Sequence, residues 1–218
     1  MNEVLEKWNI IPNHPKLYEI ALSHSSYANE HHSKKDYERL EFLGDSVLQL
    51  VVTDYLYRNY EKTEGEMTKT RANYVCETAL YDYMVELDLI KYIKVGNGEH
   101  DIKRAIVADI FESIMGAIYL DQGLDKAKEI ILSIIEPYII KNVKFIVDYK
   151  SILQEAVQTD KRSLIYETID ETGPAHQKEF TVIARIDNII YGKGTGPSKK
   201  EAAQLAAKEA LEKLVINE

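Results

Sequence analysis

A change of pattern after residue 148, from helices alone to a helix, three strands and a helix, constrains this 218-residue chain more than any other feature. Before it, apolar side chains recur at helical spacing around 17–22, 37–59, 66–88, 105–120 and 124–140. That period belongs to helices with a buried stripe. The breaks are polar: NEHHSKKD at 29–36, EKTEGE at 61–66 and VGNGEHDIK at 95–103. Beyond the change, DYKSILQEAVQ (148–158) reads as a helix, and LIYETIDETG (164–173) and EFTVIARID (179–187) alternate as strands around a Gly-Pro turn. NIIYGKGTG (188–196) reads as a third strand with glycines at its exit, and PSKKEAAQLAAKEALEKL (197–214) as an alanine-rich helix. The expected architecture is two domains: an all-α domain over 1–147 and a small α+β domain (α-β-β-β-α) over 148–218.

Bulk properties narrow the setting. The single cysteine, Cys76, allows no internal disulfide and fits a reducing compartment. The opening MNEVLEKWNI lacks the basic-then-apolar pattern of a signal peptide. The most apolar run, IILSIIEPYII at 130–140, is interrupted by Glu136 and Pro137. It reads as a core helix ending at the proline rather than a membrane span. A cytoplasmic protein without a membrane partner is expected. The net charge of −9 argues against nucleic acid, which leaves a basic footprint. The charge is uneven, however: residues 1–148 carry 17 basic against 25 acidic residues, and 149–218 carry 10 against 11.

The segment ERLEFLGDSVLQL (38–50) is a two-faced helix. At about 100° per residue, Glu38, Glu41 and Asp45 share one face within roughly 60°. Leu40, Leu43, Val47, Leu50 and Val51 fall on the opposite side, so the helix buries one face and aims its acids away from it. A solvated acidic face is the ordinary meaning of such a pattern. No lysine or arginine follows any of the three acids at four-residue spacing, which points toward a cation instead. Phe42 lies beside the acids, as a rim contact or an interface anchor. Gly44 weakens a helix interior by about 1 kcal/mol, which close packing against an unidentified neighbour would explain.

AIVADIFESIMGAIYL (105–120) is apolar nearly all round and should be buried, yet Asp109 and Glu112 interrupt it on one face, with Gly116 one turn further on. Buried carboxylates need a partner, either a structural ion pair or a metal. Glu64 and Glu66 flank Gly65 in an expected loop. Convergent carboxylates without a His or Cys pattern suit Mg2+ or Mn2+, and two such ions can drive phosphodiester hydrolysis. His14, His24, His31, His32 and His100 show no ligand spacing, and Cys76 and Trp8 read as packing residues.

ERLEFLGDSVL resembles the signature segment of the ribonuclease III family. ALSHSSYANEH before it, and EGEMTKTRANYV and ADIFESIMGAIYLDQG after it, match further blocks in content and order. The resemblance covers essentially the whole chain. It implies that Glu41, Asp45, Asp109 and Glu112 bind metal, with Asp45 and Glu112 most directly tied to hydrolysis. It implies that Glu38 and Glu64 line the cleft near RNA, with Glu66 one step past the family position. It further implies a homodimer in which Phe42 enters the partner subunit, with two Mg2+-dependent sites that each cut one strand of double-stranded RNA. The products would carry 5′-phosphate and 3′-hydroxyl ends with short 3′ overhangs. Processing of ribosomal RNA precursors and messenger RNA follows from the family alone.

In the C-terminal region, Ser198 can cap the last helix, and Lys199 and Lys200 stand in its first turn, poorly placed for the helix dipole but well placed for an anion. The element order resembles a double-stranded RNA-binding domain. By that resemblance Lys199 and Lys200 hold phosphates, Gln154, Glu155 and Gln158 face a minor groove, and His176 reads the next one. Such domains read A-form shape and 2′-hydroxyls. The leading expectation is an endonuclease for double-stranded RNA using Mg2+ (or Mn2+) and no organic cofactor. The alternatives are an RNA-binding protein that does not cut, and a helical metal hydrolase of small phosphate esters.

Overall fold

Two glycines decide how the helical part is assembled. The computed structural model describes residues 2–33, 35–99, 101–174 and 177–216, and the backbone divides into two units, 1–146 and 147–218. In the first, helix α1 (Asn2–Lys7) is followed by α2 (Pro15–Ala21), α3 (Ser25–Glu30), α4 (Glu38–Asn59), α5 (Glu64–Tyr74), α6 (Glu77–Glu86), α7 (Arg104–Gln122) and α8 (Leu124–Ile140). Helix α7 runs through the core, with Val107, Ala108, Ile110, Phe111 and the run Ser113–Ile118 all buried. Helix α4 crosses it at Gly44 and Gly116. A Cβ on Gly44 would stand 1.8 Å from the Glu112 carbonyl oxygen, and one on Gly116 would stand 2.3 Å from that of Leu40. The two backbones are therefore in contact, and the partner of Gly44 that the sequence left unidentified is α7.

This crossing turns α4 from its expected orientation. Its buried residues are Leu40, Gly44, Val47, Leu48, Val51, Val52 and Leu56. The buried face is thus rotated toward Gly44, leaving Leu50 exposed and Leu43 at the margin. The same rotation draws Glu41 and Asp45 to the edge of the interface, so they are half-buried rather than aimed away from the core.

Three local expectations need correction. The run 66–88 is two helices, broken at Val75 and Cys76, where Cys76 is extended (φ −79, ψ 158). Glu64 and Glu66 are in the first turn of α5 rather than in a loop, because Thr63 and Glu66 close a reciprocal cap across that turn. Pro137 lies inside α8 rather than ending it. The carbonyl four residues earlier, which loses its N–H partner, belongs to exposed Ser133 and can face water. Past α8, Asn73 holds the chain down: its side chain donates to the Val143 carbonyl and accepts from the N–H groups of Phe145 and Ile146.

The second unit contains α9 (Tyr149–Thr159), strands β1 (Leu164–Thr172), β2 (Glu179–Ile186) and β3 (Ile189–Gly196), and α10 (Lys199–Ile216). The sheet is antiparallel in the order β1-β2-β3. Asp187 and Asn188, both at positive φ, form the tight turn from β2 to β3. Two of the β3 glycines, Gly192 and Gly194, are inside the strand, and only Gly196 stands at its exit. Cβ atoms on Gly192 and Gly194 would meet the carbonyls of Ala206 and Ala202 at 1.9 and 2.3 Å. The alanine face of α10 (Ala202, Ala206 and Ala210, all buried) therefore lies flush on the strand. Among the described residues, no helix is long and apolar enough to cross a membrane. His100 and His176 lie outside the described residues.

The α4–α7 contact gives a stability prediction. Gly44→Ala forces backbone apart and should destabilise the helical unit by roughly 3 kcal/mol. Gly98→Ala, where a Cβ meets nothing within 4 Å, should change it by less than about 0.5 kcal/mol. Urea denaturation followed by the fluorescence of Trp8, the one tryptophan, distinguishes the two variants.

Candidate active site

The crossing of α4 over α7 gathers acids. From α4 come Glu41 and Asp45, and from α7 come Asp109 and Glu112, all four half-buried. Glu38, one turn earlier on α4, is exposed. The Glu112 carboxyl is pushed up to about 8, first by burial and then by the charges of Asp45, Glu41 and Asp109. Glu41 is also raised, by burial and by Asp109, Glu38 and Asp45. Asp109 is raised by burial and Glu77, while Tyr37 and His24 act in the opposite direction. The shifts of Glu112 and Glu41 both arise in part from the other acids, so the four carboxylates share one electrostatic neighbourhood.

Few groups relieve this repulsion. Gln49 donates to Asp45 Oδ1 at 2.8 Å, and the Tyr37 hydroxyl donates to Asp109 Oδ2 at 3.4 Å. Among the described residues, no lysine or arginine pairs with Glu41, Asp45, Asp109 or Glu112. Nor, among the described residues, do any three His, Cys, Asp or Glu side chains as placed stand together closely enough to hold a metal ion. The chemistry of the donors is the part that fits: an all-oxygen, unneutralised set suits a hard divalent cation and suits zinc poorly.

Of the other acids, Glu38 contributes to the shift of Glu41, whereas Glu64 and Glu66 have local partners. Glu64, exposed at the start of α5, accepts from Thr68 at 3.0 Å. The Glu66 carboxylate is occupied by Thr63, which donates through both its N–H and its hydroxyl. Sequence reasoning missed Tyr37, Gln49 and His24. Tyr37 and Gln49 sit one position before Glu38 and four after Asp45, and that adjacency was the available signal. His24 stacks on Tyr37 at 5.6 Å between ring centroids, a contact that no local pattern announces.

In the second unit, Gln154, Glu155 and Lys200 line one groove of about 550 Å3, together with Asp148, Lys150, Ser151, Tyr166 and Gln204. Gln158 is exposed on the same helix, one turn further on. The Ser198 hydroxyl accepts from the Glu201 N–H at 3.2 Å and so caps α10. Lys199 is directed elsewhere, 3.8 Å from Glu171 and 5.5 Å from the Phe180 ring centre. Phe42 is 79% exposed.

Comparison with known proteins agrees with this division. Residues 14–139 match the family model described as ribonuclease-III-like, and 149–214 match the double-stranded RNA binding motif. Ribonuclease 3 of Listeria monocytogenes is 45% identical over 209 residues, spanning 92% of this chain and 91% of that protein. The chain belongs to the ribonuclease III family. Ribonuclease 3 of Onion yellows phytoplasma, another member, is 43% identical over 210 residues, spanning 94% of this chain and 88% of that protein. The nuclease domain of ribonuclease III from Campylobacter jejuni is 34% identical with a TM-score of 0.57, covering 62% of this chain and 94% of that domain. In that Campylobacter domain, a region involved in dimer formation is structurally flexible. As a family member with the RNA-binding motif, the chain is an endonuclease for double-stranded RNA, and the family requires a divalent metal.

The raised Glu112 carboxyl has a consequence for the metal-free protein. A folded pKa of about 8 against an ordinary 4.5 means that the folded state holds the proton more tightly than the unfolded state. The associated stability is present at acid pH and is lost as pH rises from about 4.5 to about 8. With a chelator present, Glu112→Gln should melt higher than the parent at pH 8.5, and the gap should narrow toward pH 5. Differential scanning calorimetry across that range checks it, and parallel curves would contradict it.

Proposed function

We propose that this chain hydrolyses double-stranded RNA with Mg2+, or Mn2+ in its place, held by Glu41, Asp45, Asp109 and Glu112. The products are 5′-phosphate and 3′-hydroxyl ends with a short 3′ overhang. The observation that carries this reading is the uncompensated negative charge where α4 crosses α7, with Glu112 pushed up to about 8. Without a cation such a cluster repels phosphate. A bound divalent cation would supply an activated water and stabilise the leaving oxygen.

Within that scheme Asp45 and Glu112 stand nearest the hydrolytic step, with Asp45 steadied by Gln49. Glu41 and Asp109 complete the oxygen set from either side of the crossing. Glu38 and Glu64, both exposed, line the approach of the RNA. Gln154, Glu155 and Gln158 on α9 face a minor groove, His176 reads the next one, and Lys199 and Lys200 hold phosphates at the capped start of α10. The exposed Lys199–Glu171 pair is of the weak surface kind and yields readily to a phosphate. No organic cofactor enters this scheme.

A second subunit belongs to the proposal. Phe42 is a large aromatic beside the acids, 79% exposed in the single chain, and such residues anchor interfaces. A homodimer would place two acid clusters against one duplex, one for each strand. Ribosomal RNA precursors and messenger RNAs in the cytoplasm are the proposed substrates. The lone, free Cys76 accords with that compartment.

Three experiments test this reading. The chain incubated with a long RNA duplex should give short fragments with Mg2+ and none with a chelator. Glu112→Gln should abolish cutting while its affinity for the duplex stays within about twofold. Loss of binding together with cutting would argue against a separate catalytic role. By sedimentation velocity the parent should run as a dimer and Phe42→Glu as a monomer; a parent that runs as a monomer at micromolar concentration would sink the two-site scheme.

A further inference from the structure

Asp109 sits among like charges. Glu41 and Glu112 are within electrostatic reach, and Glu77 adds a third negative neighbour. Among the described residues, the group that donates a hydrogen bond to its carboxylate is the Tyr37 hydroxyl, 3.4 Å from Oδ2 and 72 residues away in sequence. The bond is long for O–H···O. Such bonds at reactive sites are often long until the site is filled.

Tyr37 is more firmly held than a gap-filling tyrosine need be. It is 7% exposed and its ring stacks on His24 with 20° between planes. Its N–H donates to the Ser23 carbonyl at 3.1 Å. The neighbouring His24 N–H donates to the Lys94 carbonyl at 2.9 Å, and the Lys94 N–H donates to that of Leu22 at 2.8 Å. The carbonyl of Tyr37 accepts from the N–H groups of Leu40 and Glu41, both at 2.9 Å, and so starts α4. One anchored residue therefore sets the origin of the helix carrying Glu41 and Asp45 and also touches the acid on α7.

We propose that Tyr37 is a positioning residue for the cation site: its hydroxyl fixes the rotation of the Asp109 carboxylate by holding Oδ2, leaving Oδ1 free for the cation. This rests on the reading of the four acids as a cation site. A purely packing role for Tyr37 needs the ring, its stacking and its burial, all of which Tyr37→Phe retains. A positioning role needs the hydroxyl, which Tyr37→Phe removes.

The test uses the full chain without RNA, with Mn2+ alone as the probe. Melting in a chelator should be the same for Tyr37→Phe and the parent, whereas the Mn2+ dissociation constant by calorimetry should rise about tenfold, the usual effect of losing a group that orients a metal ligand. Cleavage of a long duplex should then need about ten times more Mn2+ for half-maximal rate, with KM for RNA unchanged. Equal Mn2+ affinity in parent and variant overturns the assignment. So does a variant that melts much earlier in chelator, which would make Tyr37 a packing residue. A parent that binds no Mn2+ removes the cation-site reading itself and this inference with it, an outcome distinct from a parent that binds and a variant that binds equally well.

Discussion

Backbone contact between α4 and α7 is the constraint on which the rest of the helical unit depends. A Cβ at Gly44 or Gly116 would collide with main-chain atoms of the other helix, so the helices meet closer than side chains would permit. This closeness has an electrostatic consequence: acids that would each be harmless on a solvated helix face are brought within range of one another and partly out of water. Packing and chemistry are here one arrangement, since the same crossing that closes the core raises Glu112. A wider crossing would relax the charge and disperse the donors.

Much of this was legible in the sequence, for identifiable reasons. The alternation that sets in at 164, after a run of helical spacing, reveals a second, sheet-containing unit, because apolar side chains must face a core whichever element carries them. The spacing of Asp109 and Glu112 puts them on one helix face with Gly116 whatever surrounds them. Other features were not legible. The break at Val75 and Cys76 has no glycine or proline, and the Cys76 side chain does not cap α6, so the periodicity runs through it. Leu50 is apolar and on the expected stripe, yet a glycine rather than the leucine stripe centres the buried face of α4. Local spacing reports which residues share a face, but which face wins is decided by a helix some 70 residues away.

The two units divide a physical contradiction between them. A carboxylate cluster is hostile to a polyanion, and a chain with a net charge of −9 has little general attraction for one. The second unit, nearly neutral in sum, nonetheless presents Lys200 beside Gln154 and Glu155, with Lys199 next to it at the capped start of α10. Local placement of charge can thus do what the total cannot, and strong dependence on salt is the natural accompaniment.

The flush seam between β3 and α10 has a mechanical meaning. Glycine and alanine have no side-chain rotamers to readjust, and Gly192 and Gly194 press directly on backbone, so the helix has no cushion on which to slide or tilt. The start of α10, which lines the groove beside α9 through Lys200 and Gln204, is consequently held at a fixed place on the sheet. Under the function proposed above, a unit built in this way would act as a calliper, selecting a duplex by its dimensions rather than by its bases.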